Sequence, residues 1–183
     1  MEEFSLIPGV SIPDVSGMRC AYRLSRNEIT FSLSAEDYHG FFRGAVRIIG
    51  EPIFFFIEIP ADDDKTRLYY LDNCTIPVAD AILKRYGGIL FSDGVIRFGF
   101  GGNESNEEVY MREYQTVSVY TERTGEYEKL LLSLGYKRNG KALLTWDIIS
   151  AANPGECINV EVDGEGYHDI VNNLIDAGMY PAE

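Results

Sequence analysis

The sequence predicts an α+β fold, a mixed or antiparallel sheet packed with several short helices. Three observations carry that expectation. Short stretches with two-residue apolar alternation, such as EITFSL at 28–33, recur along the chain. Stretches with helical apolar spacing lie between them, without a strict βαβα rhythm. The Gly-rich βα turns of a doubly wound fold do not accompany them. A length of 183 residues fits one domain. Residues 1–17, with Pro8, Gly9, Pro13 and Gly17, read as an irregular N-terminal arm, and 18–183 as a single α+β domain.

Taken in order, 28–33 places Ile29, Phe31 and Leu33 on one face of a half-buried strand. Ser34-Ala-Glu-Asp37 resembles a capping box. Tyr38, Phe42, Ala45 and Ile49 then mark one helical face, which Gly50 and Pro52 end; Gly40 and Gly44 weaken that helix and leave a hairpin as the alternative. Ile53 to Ile59, apolar on both faces apart from Glu58, reads as a central strand. Ala61 to Lys65 is a solvated loop, and Arg67 to Cys74 a strand with Leu68, Tyr70 and Asp72 on one face. Pro77 to Tyr86 is a helix stopped by Gly87-Gly88. Strands follow at 95–100 and 108–120, a helix at 127–134, and strands at 142–149 and 158–162. The last helix covers 168–177.

Composition bounds the function. An apolar fraction of 45% with 13% aromatic residues belongs to a chain with a real core. The net charge of −13 repels phosphate, which argues against nucleic-acid binding and against anionic membrane surfaces, and it attracts a basic protein. Cys20, Cys74 and Cys157 are odd in number and widely spaced, so buried free thiols are expected rather than a disulfide framework or a zinc site. The acidic start MEEFSLIPGV lacks the apolar core of a signal peptide. The longest apolar run, Pro52 to Pro60, is too short to span a bilayer. These features place the protein in the cytoplasm.

The chemistry-bearing motifs are weak. FGFGG at 98–102 lacks a phosphate-loop pattern and is followed by acidic NESNEE, so a strand with close backbone approach is the better reading. Asp62-Asp63-Asp64 lacks the ligand spacing of a calcium loop. His39 and His168 sit in no triad or metal signature; Cys157 and His168, eleven positions apart across a strand and a turn, form a candidate thiol–imidazole pair without a defining spacing. Arg19, Arg23 and Arg26 form the densest basic cluster and read as a solvated face. No cofactor and no metal is expected. The acidity is uneven: Ala142 to Glu183 holds eight acids and neither Lys nor Arg. Asp147, Glu156, Glu161, Asp163, Glu165 and Asp169 of that segment are the candidate partner-binding residues, an acidic patch that speeds association with a basic partner.

EPIFFFIEIP at 51–60, YYLDNC at 69–74, RYGGILFSDGVIRFGFGG at 85–102 and WDIISAANPGEC at 146–157 resemble small bacterial proteins encoded beside delivered toxins, the immunity proteins. The matching motifs are structural, so no functional residue carries over. The resemblance, the absence of a catalytic signature and the uneven negative charge together point to a non-enzymatic cytosolic binding protein, an immunity protein that neutralises a basic toxin through an acidic surface. Two alternatives stand beside it. One is an enzyme whose site is assembled from dispersed carboxylates such as Asp72, Asp93 or Asp147 with a His. The other is a structural homo-oligomer subunit, suggested by twelve Tyr and ten Phe.

Overall fold

The computed structural model describes residues 3–183, so the first two residues of the expected arm lie outside the described residues. In chain order the strands are β1 (Val10–Ser11), β2 (Ala21–Ser25), β3 (Glu28–Ser32), β4 (Ile53–Pro60), β5 (Thr66–Cys74), β6 (Arg97–Gly102), β7 (Glu108–Met111), β8 (Thr116–Tyr120), β9 (Lys137–Arg138), β10 (Glu156–Cys157) and β11 (Tyr180–Pro181). The helices are α1 (Tyr38–Ile49), α2 (Ile76–Leu90), α3 (Thr124–Ser133), α4 (Thr145–Ile148) and α5 (Tyr167–Ile175). Among the described residues the main sheet runs β11-β5-β4-β6-β7-β8-β3-β2-β9. Its pairings are antiparallel except β2 with β9, which is parallel. The mixed-sheet α+β expectation therefore holds.

Side chains alternate across each strand, so the sheet has two distinct faces. One packs on helices. Phe42 of α1 meets Phe98 at 4.9 Å between ring centres, and Phe41 meets Phe31 at 5.1 Å. Ile53, Phe55, Ile57, Val109, Val117 and Val119 are fully buried on this side. α1 lies against both α2 and α3, and α5 packs on α2. Gly44 has a packing role here: a Cβ at that position would stand 2.5 Å from Leu130 of α3, so the residue that weakens the helix by propensity is the one that lets two helices touch. The arm belongs to this core as well. Ile7 and Val10 are buried, and β1 pairs with β10.

Four local expectations differ from the structure. α2 runs through Gly87-Gly88 to Leu90, because Ile89 and Leu90 are buried and burial outweighs the two glycines. The single strand expected over 108–120 is a hairpin. It turns at Tyr114 and Gln115, which both adopt left-handed backbone. Gln115 holds that turn with its buried amide, accepting from Ile7 N at 2.8 Å and donating to Leu33 O at 2.7 Å. The strand expected at 142–149 contains the short helix α4 instead, capped by the Asp147 carboxylate accepting from Leu144 N at 2.8 Å. The strand expected at 158–162 is irregular. Its alternation is real in sequence, yet Ile158 is exposed and the backbone is claimed elsewhere: Val160 N donates to Asp93 at 2.9 Å. β2 has little signal in sequence, because its run AYRLS is short and its apolar residues Ala21, Tyr22 and Leu24 do not alternate strictly.

Candidate functional site: the helix-free face of the sheet

The second face of the sheet carries no long helix. Two rows of side chains cross it perpendicular to the strands, because residues in register on neighbouring strands point the same way. The middle row is set by the pairs Thr30↔Ser118, Ser118↔Tyr110, Tyr110↔Gly99, Gly99↔Phe56, Phe56↔Tyr70 and Tyr70↔Tyr180. The end row is set by Glu28↔Tyr120, Tyr120↔Glu108, Glu108↔Gly101 and Gly101↔Phe54. The first is an aromatic band. The second alternates carboxylates with rings.

The glycines of FGFGG explain how the rings lie. A Cβ on Gly101 would stand 2.1 Å from Cζ of Phe54, and one on Gly99 would stand 2.6 Å from Cζ of Phe56. Each ring therefore lies down on the backbone of β6. Phe54 contacts Phe56 at 6.1 Å and Tyr70 edge-on at 5.9 Å; Phe56 contacts Tyr110 at 5.4 Å; Tyr70 contacts Tyr180 at 6.2 Å. Tyr180 and Tyr120 are exposed, and Phe54, Tyr70 and Tyr110 half-buried. The expectation of close approach at 98–102 is met by two aromatic rings.

Charges frame the band asymmetrically. At one end Arg97 is shared between Glu58, at 3.5 Å, and Glu113, while Tyr110 donates to Glu58 at 3.3 Å. Arg112 lies 4.7 Å from the Trp146 ring of α4, which covers this corner. Thr145 of α4 hydrogen-bonds Ser32 and Thr116, both on this face, at 3.2 and 3.0 Å. At the other end Asp72 accepts from Asn103 at 3.1 Å and from the Tyr180 hydroxyl. Glu108 and Glu28, both half-buried, have no hydrogen-bond or ion-pair partner among the described residues. Burial holds the Glu108 carboxyl above the usual carboxylate range. Burial, then the nearby Glu108 and Asp72 charges, raises the Tyr70 hydroxyl. Ser118 in the aromatic row is fully buried, and its hydroxyl has no partner among the described residues.

The acidic C-terminal residues are placed differently from their sequence pattern. Glu165 is forked by Arg85 of α2 at 2.7 and 2.8 Å. Asp169 accepts from Gly166 N at 2.8 Å and caps α5. Asp147 accepts from Arg23 of β2 at 2.6 Å besides capping α4. Glu156 lies exposed on β10, and Glu161 and Asp163 are exposed on the irregular segment beyond it. Three of the six thus have structural partners; the sequence hid two of them because Arg23 and Arg85 are remote in the chain, whereas the cap by Asp169 is local. Asp147 is thereby tied to β2 and Glu165 to α2.

The remaining sequence candidates are dispersed. His168 borders a cavity of about 330 Å³ with Asp62, Arg67, Tyr69 and Tyr167, but its polar groups His168, Asp62 and Arg67 are all exposed. Water there screens the interactions that activate a base. Asp93 is buried and spent on Val95 N, Ile96 N and Val160 N at 2.8–3.0 Å. Cys74 is buried and Cys157 half-buried; burial raises both thiols, so neither is an activated nucleophile. No group of His, Cys, Asp and Glu among the described residues is arranged to hold a metal ion. No helix among them is long and apolar enough to cross a membrane.

The aromatic face was only half legible in sequence. IFFFIEI announced a strand apolar on both sides, and a second apolar face on a sheet is itself the signal. Comparison of the chain with protein-family models, with curated proteins and with solved structures gave no match.

Proposed function

We propose that the chain is a non-enzymatic binding protein of the immunity type, and that it takes a basic protein partner on the helix-free face of its sheet. The observation that carries this reading is the band Tyr110–Phe56–Tyr70–Tyr180, in which Phe56 is buried and Tyr110, Tyr70 and Tyr180 keep accessible surface around it. Tyr, Phe, Trp and Arg are the side chains enriched at interface cores, and they anchor affinity when desolvated there. A rigid antiparallel sheet presents them without a cost of ordering a loop. The net charge of −13 steers a basic partner to the surface. Exposed Glu156, Glu161 and Asp163 contribute to that field, a role in the rate of encounter more than in the contact itself.

The test mixes the protein with the basic proteins encoded beside its gene and reads complex formation by size-exclusion chromatography with light scattering. A complex is expected that weakens with added salt and is lost in a folded Tyr70→Ala/Tyr110→Ala variant. A complex untouched by that variant places the contact elsewhere. A self-associated chain that depends on the same tyrosines favours the homo-oligomer alternative.

A further inference from the structure

The end row of the helix-free face has a composition of its own. Glu28, Tyr120, Glu108 and Phe54 stand on successive positions across β3, β8, β7 and, past Gly101 of β6, β4. Adjacent strands are about 4.8 Å apart, so Glu28 and Glu108 are roughly 10 Å apart with the Tyr120 ring between them. The Phe54 ring lies over Gly101, next to Glu108, with Tyr70 edge-on to it at 5.9 Å. Beyond Tyr120 a surface cleft of about 510 Å³ opens between the β2–β3 turn and Asn106, Thr121 and Glu122. Arg26 borders that cleft; the other bases named on this face are committed, Arg97 to Glu58 and Glu113, and Arg112 to the Trp146 ring.

We propose that this row seats cationic side chains, Lys or Arg, of the basic protein partner, with Glu108 between Phe54 and Tyr120 as the principal acceptor and Glu28 as the second. The inference rests on the binding reading above and names the chemistry at one end of that face. Three physical arguments support it. A half-buried carboxylate without a donor is a liability in the free protein, since its desolvation is not offset by any hydrogen bond. A cation arriving from outside supplies the missing donor. Aromatic faces beside the carboxylate attract the same cation through their quadrupoles and exclude water from the pair, which strengthens it. Both carboxylates lack a partner among the described residues, whereas Asp147, Glu165 and Glu107 elsewhere are each held by an arginine. The row is therefore charge-complementary to a basic segment.

The burial that raises Glu108 also gives a signature that a structural role lacks. Folding favours the protonated form of a carboxyl whose pKa is raised, so Glu108 begins to oppose folding as pH passes its unfolded value, and does so fully above its folded value. Glu108→Gln is expected to leave the protein as stable as before or more so in urea at neutral pH, while weakening the cation. A residue kept for stability alone would show the reverse.

The probes are a short peptide rich in Lys and Arg, a matched peptide with Gln in place of those residues, and tetramethylammonium, each titrated into the ¹⁵N-labelled protein and followed by NMR. The basic peptide is expected to shift the amides of Glu28, Gly101, Glu108 and Tyr120, and the Gln peptide to leave them unmoved. Glu108→Gln is expected to weaken the basic peptide on the order of ten-fold, and Glu28→Gln/Glu108→Gln to abolish the shifts. Equal affinity in Glu108→Gln overturns the proposal, as do shifts confined to Glu156, Glu161 and Asp163. Tetramethylammonium binding tighter than the peptide overturns the assignment to a protein side chain in favour of a small amine. If the row stays silent while a protein complex still depends on Tyr70 and Tyr110, this inference falls and the binding reading stands. If neither responds, both fall.

Discussion

Replacing Gly99 and Gly101 one at a time by Ala separates the sheet's need for glycine from the rings' need for it. A Cβ on Gly99 would stand 2.0 Å from the carbonyl oxygen of Val109, a backbone atom of the neighbouring strand, as well as 2.6 Å from Phe56. β6 is paired on both sides, to β4 and to β7, so that carbonyl cannot retreat without breaking a ladder. Overpacking of this kind costs about 1–3 kcal/mol, and the upper end applies where backbone must yield. Ala returns about 0.5–1 kcal/mol by restricting the unfolded chain, which leaves a net loss of about 2 kcal/mol. At Gly101 the nearest atom is Cζ of Phe54 at 2.1 Å, with the Glu107 carbonyl farther off at 2.9 Å. The Phe54 ring is half-exposed and swings outward, so the net loss is about 1 kcal/mol or less. For a domain of this size about 1 kcal/mol moves Tm by roughly 2–4 °C, so Gly99→Ala lowers Tm by about 4–8 °C and Gly101→Ala by less than about half of that. Thermal and urea unfolding followed by circular dichroism reads both. Adding Phe54→Ala to Gly101→Ala relieves the clash and gives less than the sum of the two single costs; adding Phe56→Ala to Gly99→Ala leaves the carbonyl clash in place. A Gly101→Ala as damaging as Gly99→Ala would refute the reasoning, because it would mean the Phe54 ring cannot move.

Arg123→Ala removes the fork on Glu107, made at 2.6 and 2.7 Å, together with donation to the Ile48 and Ile49 carbonyls at the end of α1. It leaves a buried carboxylate to Thr121 and Tyr127, so urea unfolding is expected to show a loss of about 3 kcal/mol, near the low end for a broken buried pair because Arg123 is partly solvated. Glu165→Gln breaks only the exposed pair with Arg85 and is expected to shift the urea midpoint far less than Arg123→Ala does, a shift that vanishes in high salt. In alkaline titration Tyr22 is expected to ionise at about 12, raised by burial and by its hydrogen bond to Glu128, and Tyr38, Tyr127 and Tyr136 later still, through burial first. Their folded pKa values exceed the unfolded value, so the stability they contribute is complete below about pH 10 and is lost as pH rises above it. Absorbance at alkaline pH should therefore rise together with loss of ellipticity; early ionisation of these tyrosines in a folded protein contradicts their burial. Arg112→Ala uncovers the single tryptophan, and the Trp146 emission is expected to shift to the red without a change in far-ultraviolet ellipticity.

Periodicity and punctuation by themselves determined the α+β class, the strands at 28–33, 53–59 and 67–74 and the last helix at 168–177; between a helix and a hairpin after Asp37 they left a choice that the burial of Phe41, Phe42, Ala45 and Val46 on α1 made. At 28–32 and in the two helices the apolar stripe is the buried one, whereas on β5 it is Tyr69 and Leu71 that are buried and Leu68 and Tyr70 that keep accessible surface. Net charge is likewise a sum over residues that folding does not alter. What only the tertiary structure decided depends on partners remote in sequence. Arg23 and Arg85 meet Asp147 and Glu165 across 124 and 80 positions, which gives two carboxylates of the acidic segment partners that its own sequence lacks. Asp93 and Thr116 draw 142–162 out of its strand pattern, because hydrogen bonds to a formed sheet outweigh a weak local alternation. The helix-free face is the clearest case. Phe54, Glu108 and Tyr120 lie on three separate strands, and their meeting is set by register alone, since a one-residue slip in any of them would turn its side chain to the helices.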